Sequence, residues 1–224
     1  METHVFERKM SAEQSKELIS AVRYNLVIGL VLSWGFAINW LIIQISPVQA
    51  IQSINPLLFL LGYFASCLFG VRLLSNSRDT RRSFIGYNFI VVPFGLVINM
   101  VISRYDSLLV LGAMRITGLA TLVMMALGAS FPKFFEGISG ALATSLLAVI
   151  VVELIQVFLL GIHHDTIDWM VALIFCGYIG YDWGRANQIP KTTENAIESA
   201  AALYMDMINL FLRILSLLSE KDSD

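Results

Sequence analysis

The sequence predicts an all-α, polytopic membrane protein built as a seven-transmembrane helical bundle, and three observations predict it. Of the 224 residues, 57% are hydrophobic and only 14% are charged, where soluble domains carry about 25% charged residues. The deficit is gathered into seven apolar runs of about twenty residues, the length an α-helix needs to cross ~30 Å of hydrocarbon. The runs are too long, and too free of period-2 alternation, to be barrel strands. They fall at residues 24–45, 56–74, 84–103, 107–128, 138–160, 167–184 and 199–218. Short connections make them one transmembrane domain, 24–218, between a polar segment at 1–23 and a polar tail at 219–224.

Each element has its own signature. Residues 1–23 carry Arg8, Lys9, Lys16 and Arg23, with neither the short apolar core nor the small-residue cleavage site of a signal peptide. They read as a cytoplasmic segment, either an amphipathic surface helix or a solvated tail, and the first run is expected to stay in the membrane. The second run ends at "NSRDTRRS", whose Arg78, Arg81 and Arg82 form a topology-setting basic loop. The third run contains Pro93 and Gly95, where a helix can kink. The fourth and fifth carry Arg115 and Glu153, each about eight residues, or ~12 Å, from the outer surface. These two are expected to pair, as a structural salt bridge or as an outer element of an ion path, which Gln156 would extend. "HHDTID", from His163 to Asp168, reads as a solvated loop rather than a metal site. Cys67 and Cys176 lie inside runs and read as packed small residues or, alternatively, as a bonded pair.

Charge fixes the orientation. With the N-terminus in the cytoplasm, the inner segments hold eleven Lys and Arg, and the outer ones hold three: Arg104, Arg213 and Lys221. That bias places the N-terminus inside and the C-terminus outside. A net charge of −2 without a basic face excludes nucleic acid as a partner. The lipid bilayer is the expected surrounding.

The sixth and seventh runs hold two aspartates where the surroundings reject charge. With Asp206 at zero on a helical wheel, Asn195, Ser199, Ala202, Asn209, Leu210 and Arg213 all lie within about 60° of it. A polar and small stripe of this kind should face protein or internal water rather than lipid. On the sixth run Gly177, Gly180 and Gly184 share one face, suited to close backbone approach. Asp182 lies nearly opposite, with Val171, Phe175, Tyr178 and Arg185, so both faces of this run are expected to be contacted. Asp182 and Asp206 sit at matched depth, roughly 9–10 Å below the cytoplasmic surface. Two carboxylates so placed can form a dyad, which shares a proton and titrates as a unit. Singly protonated, it draws its helices together; doubly ionised, it repels or recruits a cation. The alternative is that each carboxylate is satisfied separately by a hydroxyl, an amide or Arg185.

"YDWGRANQI" followed by "AALYMDMINLFLRIL" resembles the end of the Bax inhibitor-1 family, the transmembrane Bax-inhibitor-motif proteins, in its bacterial form. The match is specific at Tyr204, Asp206, Ile208, Asn209, Leu210 and Phe211, and softer at "RRSFIGYNF", from Arg81 to Phe89. It extends over the chain by topology and over the C-terminal stretch by motif. The Gly-Pro-rich signature of animal members in the third and fourth helices is missing. That points away from cell-death function and toward a bacterial cytoplasmic membrane. The resemblance implies a bundle with the seventh helix central and a pH-sensitive calcium leak. Asp182 and Asp206 would be the sensing pair and a transient calcium contact. An arginine among Arg78, Arg81 and Arg82 would engage them, and Asn209, Arg213, Arg115 and Glu153 would support the ion path or the structure. Calcium would be the permeant ion, with no cofactor.

Two other functions compete. One is a membrane-embedded regulator that binds another membrane protein, such as a membrane protease, through its charged N-terminal segment. The other is an intramembrane aspartyl protease, which also sets two aspartates on neighbouring helices. Such enzymes place Gly-x-Gly before the second aspartate, where this chain has Tyr204-Met205. Enzyme activity is therefore not expected.

Overall fold

The computed structural model describes residues 18–75, 79–155 and 165–221, and the elements formed among them are all helices. They are α1 (Ala21–Ile45), α2 (Val48–Gln52), α3 (Pro56–Ser75), α4 (Thr80–Ile102), α5 (Ser107–Ser130), α6 (Pro132–Ile155), α7 (Asp165–Gln188) and α8 (Thr193–Lys221). The short α2 follows Pro47, which breaks α1 and supplies no amide hydrogen to continue it. Short polar side chains start the long helices. The Ser20 hydroxyl accepts from the Arg23 amide, the Asp79 carboxylate from Arg81, and Thr192 Oγ1 from Asn195, which satisfies donors that a helix N-terminus leaves over.

Six of the expected seven runs are helices long and apolar enough to cross a membrane: α1, α3, α4, α5, α6 and α8. The remaining run, the sixth along the chain, is α7, with 24 residues. Asp168, Asp182 and Arg185, together with its glycines and tyrosines, dilute its apolarity. Exposed leucines such as Leu57, Leu58 and Leu61 on α3, and Leu108, Leu119 and Leu122 on α5, form a surface that water would penalise and lipid would not. The chain is a multi-pass integral membrane protein.

The helices group into two compact units. The first contains α1 to α4 and residues 189–204; the second contains α5 to α7 and residues 205–221. The boundary falls inside α8, so one continuous helix supplies a part to each. Within the first unit α4 packs against α1, α2 and α3, and its Tyr87, Ile90 and Val91 are fully buried. Within the second, α7 packs against both α5 and α6. Its glycine face explains how: a Cβ on Gly128 of α5 would lie 2.2 Å from the Gly180 carbonyl oxygen. The two backbones therefore touch where side chains are missing on both sides. Cys67 and Cys176 are free thiols, which removes the bonded-pair alternative.

Candidate functional site

In the second unit α7 and α8 carry the two aspartates. Asp206 is buried, at 7% exposure, and Asp182 is half-buried. Their carboxyl groups are electrostatic neighbours within hydrogen-bonding reach. Asp206 Oδ2 is buried with no hydrogen-bond partner among the described residues. Tyr178, one turn before Asp182 on the same face of α7, lies close enough to feel both carboxylates. Tyr181 in turn neighbours Asp182, Arg185 and Glu136 of α6. Glu136 carries no signal in the sequence beyond being an acid near the start of a run. Its place beside Tyr181 depends on how α6 packs on α7.

The remaining candidate residues distribute differently. Asn209 turns its amide back on its own helix, donating to the Met205 carbonyl at 2.8 Å. Arg81 and Arg82 are exposed on the first turn of α4, in the first unit. Arg78 lies outside the described residues, as do His163, His164 and Gln156.

The expected Arg115–Glu153 pair does not form. Glu153 Oε1 instead meets Arg213 Nη2 of α8 at 2.6 Å, and Arg213 Nη1 donates to Asp168 Oδ1 of α7 at 2.5 Å. Arg115 is exposed on α5 and makes no ion pair among the described residues. Matched depth fixes only the height of a side chain; the direction it leaves its helix decides its partner. Arg213 leaves α8 on the stripe of Asp206, facing protein, while Arg115 leaves α5 outward.

Asp168 is a second correction. It was expected in a solvated loop, but α7 begins at Asp165 and buries Asp168 to 9% exposure. A signal for this was present in the spacing. Asp168, Val171, Phe175, Tyr178 and Asp182 recur at intervals of three or four, one helical face. That face of α7 therefore carries an acid toward each end. Asp168 is neutralised by Arg213, and Asp182 neighbours another acid. Among the described residues no group of three or more His, Cys, Asp or Glu side chains is placed to hold a metal ion.

Comparison with known proteins follows the same residues. A family model described as "Inhibitor of apoptosis-promoting Bax1" matches residues 17–223. An uncharacterized membrane protein of Vibrio cholerae is 26% identical across 97% of both chains. Bax inhibitor 1 of Schizosaccharomyces pombe is 29% identical over 73% of this chain and 62% of its own. The Golgi anti-apoptotic protein of Vaccinia virus is 30% identical over 55% of this chain and 52% of its own. The family match spans all eight helices, the aspartate pair and the Arg213 network alike, and on that match the chain belongs to the Bax inhibitor-1 family.

Proposed function

We propose that this protein is a pH-sensitive cation leak, with calcium as the permeant ion, gated by Asp182 and Asp206. One observation carries the reading: two carboxyl groups neighbour each other on apolar helices, where a lone ionised carboxylate is costly. A pair of this kind can exist in two states with different consequences. Sharing one proton, it bonds α7 to α8. With both groups ionised, it pushes the helices apart or holds a cation between them. Tyr178 is placed to feel the change in charge. The Glu153–Arg213–Asp168 network ties α6, α7 and α8 together and would limit how far α7 and α8 separate. In this reading the N-terminus is cytoplasmic, the C-terminus lies outside, and the membrane is a bacterial cytoplasmic one.

The test is calcium flux into proteoliposomes between about pH 6 and pH 8, a range wide enough to catch a coupled pair changing state. Wild type should leak with a pH-dependent rate. The Asp182→Asn/Asp206→Asn double variant should lose that dependence, with the leak abolished or locked. A leak that keeps its pH profile in the double variant would remove the pair from the gate.

A second reading has its own support. Two of the relatives are named for inhibition or for an anti-apoptotic effect, which suits a regulator that binds another membrane protein. Folded protein with no leak above empty liposomes, and a membrane protein that purifies with it in stoichiometric amount, would favour that reading over the channel.

A further inference from the structure

The proposed gate leaves one intramembrane charge without a task. Arg115 stands on α5 eight residues after Ser107, where the helix begins, or about 12 Å along its axis. The other described lysines and arginines lie in connections or within a turn of a helix end, or, like Arg213, are held in an ion pair. Arg115 is exposed and makes no ion pair among the described residues. Helical period shows what surrounds it. Ala113, Thr117, Thr121 and Gly128 form the buried face of α5, and Arg115 leaves the helix about 160° from both Ala113 and Thr117. The positions four and seven residues to either side of it are Leu108, Leu111, Leu119 and Leu122, all exposed. A guanidinium therefore emerges from the middle of a leucine stripe that faces hydrocarbon.

A guanidinium cannot shed its proton to escape the cost, and a charge in hydrocarbon needs a partner. Two partners have the right sign: an acid on a helix of another protein, or a lipid phosphate. The flanking residues favour lipid. Helices that associate in membranes place small residues where the backbones meet, and here those positions carry leucines. Direction favours it too. Cα–Cβ bonds tilt toward the N-terminus of a helix, so the arginine stem leans toward the nearer end of α5, with Ser130 fifteen residues away at the other end. The stem covers part of the depth, and local thinning of the bilayer brings the headgroup down the rest. The planar fork of the guanidinium matches two phosphate oxygens at once. A zwitterionic headgroup carries its own cation beside the phosphate, whereas an anionic one leaves that place to arginine.

We propose that Arg115 binds the phosphate of an anionic glycerophospholipid in the leaflet at the N-terminal end of α5, with the acyl chains laid along the Leu108–Leu122 stripe. The site lies on a face of α5 apart from the aspartate pair, so it stands independently of the proposed leak.

Native mass spectrometry of the purified chain tests this, with phosphatidylglycerol or with digalactosyldiacylglycerol, which has no phosphate. Wild type should retain phosphatidylglycerol several-fold more than Arg115→Leu does, with Arg115→Lys in between. All three should retain the galactolipid alike. Equal retention of phosphatidylglycerol by wild type and Arg115→Leu would overturn the proposal. Unfolding temperature in nanodiscs supplies an independent sign. In the galactolipid Arg115→Leu should melt above wild type, because the guanidinium there has no phosphate to meet. In phosphatidylglycerol that advantage should shrink or reverse. The same advantage in both lipids would overturn the proposal. So would a membrane protein that purifies with wild type in stoichiometric amount and is lost from Arg115→Leu, since the charge would then answer to a protein.

Discussion

The two units solve the problem of polar groups in an apolar chain in opposite ways. The second unit uses charge. Asp182 neighbours Asp206, and Arg213 binds both Glu153 and Asp168. The first unit is held inside by neutral groups: Tyr24 with Ser199, Asn39 with Tyr204, and the Asn99 amide donating to the Ser46 carbonyl at 2.9 Å. The difference bears on function. Charge placed where water is scarce can be changed by a proton or a cation, so it suits a gate. Neutral hydroxyls and amides keep their state across physiological pH, so they suit a frame. The contrast predicts a pH- and salt-responsive second unit and an indifferent first one.

The largest effect expected in breaking that contrast comes from Arg213→Ala. It leaves Glu153 and Asp168 without their cation. All three side chains are partly exposed, at 13–30%. The loss should therefore be about 2–3 kcal/mol, short of the ~3–5 kcal/mol of a fully buried pair. Thermal unfolding in nanodiscs measures it, and Arg213→Lys should recover part of it. The cost should shrink as salt rises, because exposed charge is screened. A cost independent of salt would mean that Arg213 acts by packing its stem.

Asn39→Leu is the matching substitution in the first unit. It removes the donor to Tyr204 and fills a similar volume with an apolar side chain. The expected loss is about 1–2 kcal/mol. It should be the same at low and high salt and across neutral pH, since no charge is altered. A pH-dependent loss would place an ionising group near Asn39 and would erase the distinction between the units.

The contrast also explains what could be read from the chain alone. Apolar runs are legible because length in hydrocarbon is a one-dimensional constraint. Asp182 and Asp206 are legible because an acid inside such a run is expensive. The partner of Glu153 was not, because depth along a helix says nothing of azimuth, and Arg115 matched it in depth while pointing away. Asp168 is not legible as a helix residue because it closes the polar motif His163–Asp168, which reads as a loop even though the apolar run already begins at Ile167. The boundary between units was invisible because it falls within α8, where apolar periodicity continues without a break. Neutral groups are the hardest to find. Ser83 and Tyr87 are ordinary helix residues until the packing of α4 buries both side chains completely.

The smallest expected effect is the one that most sharpens the comparison. The first unit has charged contacts too: Lys191 Nζ lies 5.0 Å from the Tyr24 ring centroid, and Thr80 Oγ1 donates to Glu194 Oε1 in the first turn of α8. If neutrality of the interior is what distinguishes this unit, Glu194→Gln should cost less than about 1 kcal/mol. That is the scale of an exposed charged contact together with the favourable placement of an acid at a helix N-terminus. Gln keeps an oxygen to accept from Thr80, so the hydrogen bond survives and only the charge is lost. The small loss should fade further with salt, in parallel with Arg213→Ala but at a fraction of its size. A loss comparable with that of Arg213→Ala would show that the first unit, too, depends on charge. The division between a titratable half and a neutral half would then have to be redrawn around α8 rather than between the units.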